Sequence, residues 1–582
     1  MMHGADPRPA LFRGASFPKA LFCGLILLAL ARYGMEAFAG PAWTIADDAR
    51  QFLSWTARIA DPAAMPGNFL ADYWQQTAPP LYRGLLYGAS ALGIGPVLLS
   101  KLLAFPLIMA CAGLAWRFAR CFTVDPSRQL FAALCIMAAI LHNDSIFSGT
   151  PRAFASPLIL MTLLGMATRR HDLSIAGLLM SSIVYPAPAI TGLGIFALHL
   201  LNWRWPLRLD LRWRPIALLG TTALLVLGAG LFFRAGLGDW GPTLRLQEVG
   251  QVFSLATPDG RSKIVGPDGH IAWICSPRIG FLPAIVHCQG NADPRLLVNA
   301  LLTLVPMIGL WIAYVRKRRQ TGQGRAGQLR NEPARNEPTG GETDTAWRLF
   351  PYSLAAALVC YVFTAMLAFT FHLPARYSQP ILLIMGSCAL GLWLGGLWNY
   401  MADRLGHSGA VFRLAACGAA VIALALFATP KTRLTHPDNP DLIALIASTP
   451  PTTRIAGIAD DLSAVPAQTG RAILASTEHD IPYHRRYHRE NQAGLRASMM
   501  MGDLRHPARI ATDVQRYGVG LLVFDRRFLE TGVLPESYRA TMPPPHRIVP
   551  SADGVAAIRK ASCRVVETPQ WVAIFTSCLS GS

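Results

Sequence analysis

Acidic side chains are scarce in this chain: 34 Asp and Glu stand against 53 Lys and Arg, and charged residues of both signs make up only 15% of its 582 residues. Several signatures are missing outright. There is no Walker-type phosphate loop, dinucleotide fingerprint, HExxH motif or GxSxG nucleophile elbow, which argues against nucleotide-driven, nicotinamide, zinc-peptidase and serine-hydrolase chemistry. No nucleic-acid motif or aromatic-interleaved basic patch occurs, and the formal net charge of +19 sits in short loops between apolar runs. That distribution follows the positive-inside bias and points away from nucleic acid as a partner. No solenoid-scale repeat is visible. What remains is apolar: 52% of the residues are hydrophobic. A chain this long and this poor in charge reads as an integral membrane protein with more than one structural unit.

Apolar stretches long enough to span a bilayer recur at about 17–39, 94–118, 128–143, 152–168, 215–233, 296–315, 349–371, 378–399 and 411–428. A further apolar run at 172–201 is interrupted by "YPAP" at Tyr185–Pro188, where proline breaks the helix into two. The expectation is a polytopic α-helical membrane protein of about eleven transmembrane helices. Loops 116–128, 168–172, 202–214 and 316–320 are basic and are expected in the cytoplasm; loops 143–151 and 372–379 hold almost no Lys or Arg. The N-terminus is then cytoplasmic, and everything after residue 429 lies outside. The first segment also resembles a signal peptide ending in "AFA" at 37–39, but Arg32 and Glu36 interrupt it, so an uncleaved anchor is the better reading.

Residues 1–429 thus form a multi-span membrane domain with outer loops at 40–93 and 234–295, and with a cytoplasmic linker at 316–347. The linker contains "RNEP" twice and little that could pack, so it reads as disordered. The remainder, 430–582, has strand-like runs "TRIAGIA" (453–459), "GLLVFD" (520–525) and "WVAIFT" (571–576) with helix-like stretches between. It is expected to be an extracytoplasmic α/β domain of about 150 residues, the usual domain size.

Cys23, Cys111, Cys135, Cys360, Cys388 and Cys417 lie inside apolar runs and read as small core residues. Cys275 and Cys288 share one polar loop, and Cys563 and Cys578 share the tail. Both pairs fall on the same side of the membrane, which suits disulfides in an oxidising compartment, with free thiols as the alternative.

The candidate chemistry begins at two adjacent carboxylates, Asp47 and Asp48, where the chain leaves its first apolar segment. The following run "DARQFLSWTARIA" (48–60) places Phe52, Trp55, Thr56 and Ile59 on one helical face, as in a helix lying flat at the bilayer surface. N-capping and the helix dipole account for one aspartate and leave the other unassigned. A carboxylate here could act as a general base for glycosyl transfer, while its neighbour raises its pKa or helps to hold a divalent cation. A lipid-phosphate leaving group needs cations at the same depth. Arg152 in "SGTPRAFASP" and Arg376 in "HLPARYSQP" sit at outer ends of spans, and guanidinium grips phosphate with a fork. Lys101 lies just inside the second span, and snorkelling to headgroups is the plainer reading for all three. Arg50 and Tyr377, beside Asp47–Asp48 and Arg376 in the chain, are further candidates for binding the substrate's phosphate. His142, Asp144 and His372 are further candidates for the same cavity and, with Asp47 and Asp48, for a metal, although nothing in the sequence fixes their mutual geometry. Asp72, among aromatics, reads as part of an interfacial anchor. His479, His484 and His488 do not have a zinc spacing.

An acidic pair in the first large outer loop, many short spans, an outer C-terminal domain and the "RY-x-x-P" of "ARYSQP" (375–380) together resemble the GT-C superfamily of membrane glycosyltransferases. The resemblance covers roughly 40–430. It implies a polyprenyl-phosphate-linked sugar as donor and a glycan, lipid or protein as acceptor. It also implies a bacterial cytoplasmic-membrane location, Asp47 or Asp48 as the acid of the first loop, and Arg376 as phosphate holder. No organic cofactor is implied. The tail lacks a "WWD"-like motif, which sets aside asparagine-directed transfer. Two other readings stand beside this one: a transporter or flippase of lipid-linked glycans, and a non-catalytic membrane assembly factor. The first would show inverted repeats, and no second copy of the broken run is visible.

Overall fold

The computed structural model describes residues 16–201, 212–235, 238–258, 260–328, 340–407, 409–504, 506–543 and 563–579. Each apolar segment of the sequence is helical. Among the described residues seven helices are long and apolar enough to cross a membrane: Phe17–Phe38, Pro96–Arg120, Trp213–Leu231, Arg295–Arg316, Asp344–Met366, Ala375–Leu405 and Ala410–Ala428. Four shorter apolar helices, Pro126–Leu141, Pro151–Ala167, His171–Val184 and Pro186–Leu200, complete the bundle. The break at "YPAP" falls where proline demands it. One helix ends at Val184 and the next opens on Pro186, whose missing N–H costs nothing in a first turn.

Contact without bulk draws the bundle together. A Cβ on Gly391 would lie 2.4 Å from the carbonyl oxygen of Phe131, so glycine lets the Ala375–Leu405 helix press against Pro126–Leu141. The linker expected at 316–347 is helical at both described ends: Arg295–Gln328 runs into it and Gly340–Met366 begins within it. Its centre, 329–339, lies outside the described residues.

The C-terminal segment contains a five-stranded sheet of β3 (Arg454–Ile458), β4 (Ala472–Ile473), β5 (Leu521–Asp525), β6 (Val565–Glu567) and β7 (Trp571–Phe575), in the order β4-β3-β5-β7-β6. The β3–β4 and β3–β5 pairs are parallel, and β7 runs antiparallel to both its neighbours. The central strands are apolar throughout because both faces are covered. Leu521, Val523, Trp571 and Ala573 point to one core, while Leu522, Phe524, Val572 and Ile574 point to the other.

What fills the first core was not expected. Residues 45–86, read from the sequence as an outer loop of the membrane part, supply Ile45, Leu53, Trp55, Leu70, Trp74 and Tyr82 to the same hydrophobic cluster as the sheet. The amphipathic helix expected at 48–60 is instead two four-residue helices, Ala49–Phe52 and Ala57–Ala60. Trp55 is fully buried in this shared core rather than in lipid. A sheet face offers more apolar area to a tryptophan than a headgroup layer does, and that contact overrides the helical periodicity. The loop and the tail are therefore one lobe.

Candidate active site

The position of the acidic pair is set by a two-stranded clasp. β1 (Ile45–Ala46) pairs antiparallel with β2 (Leu434–Thr435), joining the exit of the first span to the exit of the last. The Asp47 N–H continues the ladder to the Arg433 carbonyl at 3.1 Å. The chain then turns helical, and the two carboxylates diverge. Asp47 accepts a hydrogen bond from Arg50. Asp48 occupies the N-cap position of Ala49–Phe52 but is in a helical conformation and makes no capping bond. Its carboxylate pairs with Arg152 instead. A small recess lined by Ala46, Asp47, Asp48, Ser148, Thr432 and Arg433 opens beside them.

Arg152 reaches this point because of a tight turn before it. Gly149, with φ of +58°, closes the short helix Asp144–Ser148, and a Cβ there would lie 1.9 Å from the Ser100 carbonyl oxygen. Only glycine fits both the left-handed conformation and that approach. The turn Pro151–Phe154 then carries Arg152 to the start of the Ala155–Ala167 helix. Arg376 is the second residue of Ala375–Leu405. Two helix N-termini thus meet near Asp48, and their positive ends favour an anion.

A third guanidinium joins them. Asp48 lies within electrostatic reach of Arg152, Arg376 and Arg278. Burial pushes the Asp48 carboxyl up, but the three guanidiniums and the hydrogen bond from Arg152 outweigh it and leave the group below the usual carboxylate range. Arg152 is engaged by Asp48. Among the described residues the side chains of Arg278 and Arg376 have no hydrogen-bond or ion-pair partner, and Arg376 Nε is buried. Burying a guanidinium without a partner is costly, and holding two together adds repulsion. An anion between them would offset both costs.

His372 and Tyr483 form the neighbouring wall, with ring centroids 4.8 Å apart, and Tyr483 stacks on Phe369 at 5.6 Å. His372 is open to solvent on one side and packed among protein neighbours on the other. That crowding, and then the field of Arg376, Arg278 and Arg152, holds its imidazole well below its ordinary pKa, so it is neutral at pH 7. The hydroxyl of Tyr185, in the helix break, is buried without a hydrogen-bond partner on the side of Arg376.

Other expected site residues are used elsewhere. Arg50 donates to Asp47 and to Ser463 Oγ at 2.8 Å and lies 3.2 Å from Glu478, so it ties the acidic segment to the tail and is not free for phosphate. Lys101 Nζ donates to the Ala37 carbonyl at 2.9 Å, at the end of the first helix. The Tyr377 hydroxyl donates to the Phe371 carbonyl at 2.7 Å and fixes the chain before Arg376. Asp72 pairs with Arg58 at 2.7 Å. The Nδ1 of His142 contacts the carbonyl of Ala138, one turn back in its own helix, at 3.0 Å. The Asp144 side chain lies outside the described residues. Of the donors considered from the sequence for a divalent cation, those described do not gather. Among the described residues no three His, Cys, Asp or Glu side chains gather, and Asp48 faces guanidiniums that would repel a metal. Cys275 is bonded to Cys288 and Cys563 to Cys578.

Sequence reasoning passed over Arg278, Glu478 and Tyr483. Arg278 had a signal: it is the one basic residue inside the stretch bracketed by Cys275 and Cys288 before His287. Glu478, which links Arg50 to Arg261 of another loop at 2.9 Å, had none.

No protein-family model matches this chain, and no curated protein matches it. Solved structures do. The archaeal oligosaccharyltransferase AglB from Archaeoglobus fulgidus, in complex with an inhibitory peptide and a dolichol-phosphate, matches at 12% identity over 94% of this chain and 73% of its own, with a TM-score of 0.44. ArnT from Cupriavidus metallidurans in the apo state matches at 13% identity over 97% of this chain and 100% of its own, with a TM-score of 0.49. The same protein bound to undecaprenyl phosphate gives 13%, 98%, 100% and 0.47.

Proposed function

We propose that this protein is an inverting membrane glycosyltransferase. It moves a sugar from a polyprenyl-phosphate donor to an acceptor hydroxyl at the extracytoplasmic end of its bundle. One observation carries the reading: a single enclosed carboxylate, Asp48, faces three guanidiniums, and two of these have no partner among the described residues. The acceptor hydroxyl gives its proton to Asp48 as its oxygen bonds to the anomeric carbon. The bond from that carbon to the phosphate oxygen breaks, and the electron pair leaves with the polyprenyl phosphate. The donor phosphodiester carries one negative charge and the released monoester close to two. Guanidiniums therefore bind the departing group more strongly than the donor, which is the difference that accelerates transfer. Arg278 and Arg376 hold the phosphate, and the aromatic wall at Tyr483 offers a face to a sugar ring. The acceptor is a glycan, lipid or protein.

The test uses the full chain purified in detergent, supplied with lipid-linked sugars extracted from bacterial membranes. Mass spectrometry scores the release of free polyprenyl phosphate on addition of a bacterial glycolipid fraction. Release that Asp48→Asn removes supports the reading. Release that Asp48→Asn leaves intact rules out Asp48 as the base, and no release with any extract removes the enzymatic reading.

A further inference from the structure

Arg278 sits on a turn rather than on a helix, and the repulsion between it and Arg376 should push such a turn away whenever no anion is bound. Something must hold it. Gln379, three residues after Arg376 on the Ala375–Leu405 helix, directs its Nε2 at three carbonyls of that turn: Ser276 at 2.8 Å, Gly280 at 2.8 Å and Leu282 at 2.9 Å. The neighbouring Ser378 Oγ donates to the Phe281 carbonyl at 2.8 Å. Inside the turn, the Ser276 hydroxyl accepts from the N–H groups of Arg278 and Ile279 at 3.2 and 3.3 Å. A Cβ on Gly280 would lie 2.3 Å from the Ser276 nitrogen, so the turn closes only with glycine there. The Cys275–Cys288 bridge closes the stretch, and Asn299 holds its far end through the Val286 N–H and carbonyl, both at 2.9 Å.

We infer that Gln379 is the positioning residue for Arg278, fixing both unpartnered guanidiniums to one rigid frame so that a prenyl phosphate meets them at a set spacing. This rests on the reading that Arg278 grips the donor's phosphate. A half-buried amide whose two N–H groups are shared among three carbonyls is a demanding arrangement, and it is placed on the helix that carries the second guanidinium. The sequence element "ARYSQP" then has a use for each polar member: Arg376 for the anion, Tyr377 for the chain before it, and Ser378 and Gln379 for the turn.

The test measures binding of farnesyl phosphate, a short prenyl phosphate, to the full chain in detergent by calorimetry. Arg278→Ala, Gln379→Ala and the double variant are compared with the unaltered protein. Arg278→Ala should weaken binding roughly ten- to a hundredfold, the usual effect of losing a charge-assisted bond. Gln379→Ala should weaken it nearly as much, and the double variant no more than Arg278→Ala alone. Gly280→Ala, which forces the turn open while leaving the Gln379 side chain itself unaltered, should behave like Gln379→Ala and serves where that variant does not stay monodisperse. Full affinity in Arg278→Ala removes the phosphate reading for that residue. A loss in Arg278→Ala with full affinity in Gln379→Ala or Gly280→Ala, or losses that multiply in the double variant, overturns the positioning role alone.

Discussion

Asp48 and Arg152, 104 residues apart in the chain, form an ion pair at the junction of the membrane bundle and the lobe above it. The pair is the reason Asp48 rather than Asp47 is proposed as the base. Asp47 points to Arg50 and the tail, whereas Asp48 faces the guanidinium cluster. Asp48→Asn keeps shape and removes basicity, so transfer should fall by at least about a hundredfold, the lower range for a lost general base. Asp47→Asn should stay within about tenfold of the unaltered rate. Steady-state rates on monodisperse protein decide between them, and equal losses in both variants would count against this assignment.

The same pair predicts two different acid limbs. In the donor-free protein Asp48 lies below the ordinary carboxylate range, so kcat/KM for the donor should stay level until the pH falls below about 4. A bound phosphate offsets guanidinium charge and lifts the Asp48 pKa, so the acid limb of kcat should lie at higher pH. The sign for stability follows from linkage. The folded value lies below the unfolded one, so this group's contribution is full above about pH 4 and is lost as pH falls through the lower folded value. Coincident limbs in the two profiles would mean that another group controls the rate.

Much of this arrangement was readable from residue patterns, because its strongest determinants are local. Long apolar runs and prolines fix helices in lipid, so the segments and the break at Tyr185 were legible. Arg152 and Arg376 were legible because an arginine at the mouth of an apolar span is expensive and needs a reason. The route of residues 45–86 was not. A 3.6-residue apolar stripe fits a membrane surface and a sheet face equally well, and only tertiary contact decides that Trp55 goes to the sheet. Arg50 illustrates the same gap: its nearness to Asp47 suggested a phosphate ligand, but its partners Glu478 and Ser463 lie more than 400 residues away.

Arg376 should prove specific as arginine. Arg376→Ala should lower kcat/KM for the donor roughly ten- to a hundredfold, and Arg376→Lys should recover part of this, because an ammonium restores charge without the fork. Arg152→Ala should act differently. With one cation fewer beside it, the Asp48 pKa rises, so the acid limb of kcat/KM should move to higher pH as the rate falls. Initial rates across pH at varied donor concentration separate the two; an unmoved limb in Arg152→Ala would remove the coupling between these residues.

Glu478 tests whether the lobe must be held to the bundle for the base to be in place. Its carboxylate lies 3.2 Å from Arg50 and 2.9 Å from Arg261, and its carbonyl accepts from Gln51 Nε2 at 2.7 Å. One tail residue therefore joins the acidic segment to the stretch 234–295, with all three ionic side chains largely shielded from water. Glu478→Gln keeps the size and removes the charge, leaving two guanidiniums facing each other across a neutral amide. Thermal unfolding should show a loss of about 1–3 kcal/mol, the range for a charged hydrogen-bonded group losing its partner. Because Arg50 is also bound to Asp47, slackening there should reach Asp48 through the backbone, so turnover should fall severalfold while affinity for a prenyl phosphate, held by Arg278 and Arg376, stays nearly constant. Lost affinity with unchanged turnover would instead place Glu478 in the phosphate site, and an unaltered melting temperature would mean that the apolar contacts of Trp55 and its neighbours hold the lobe without it.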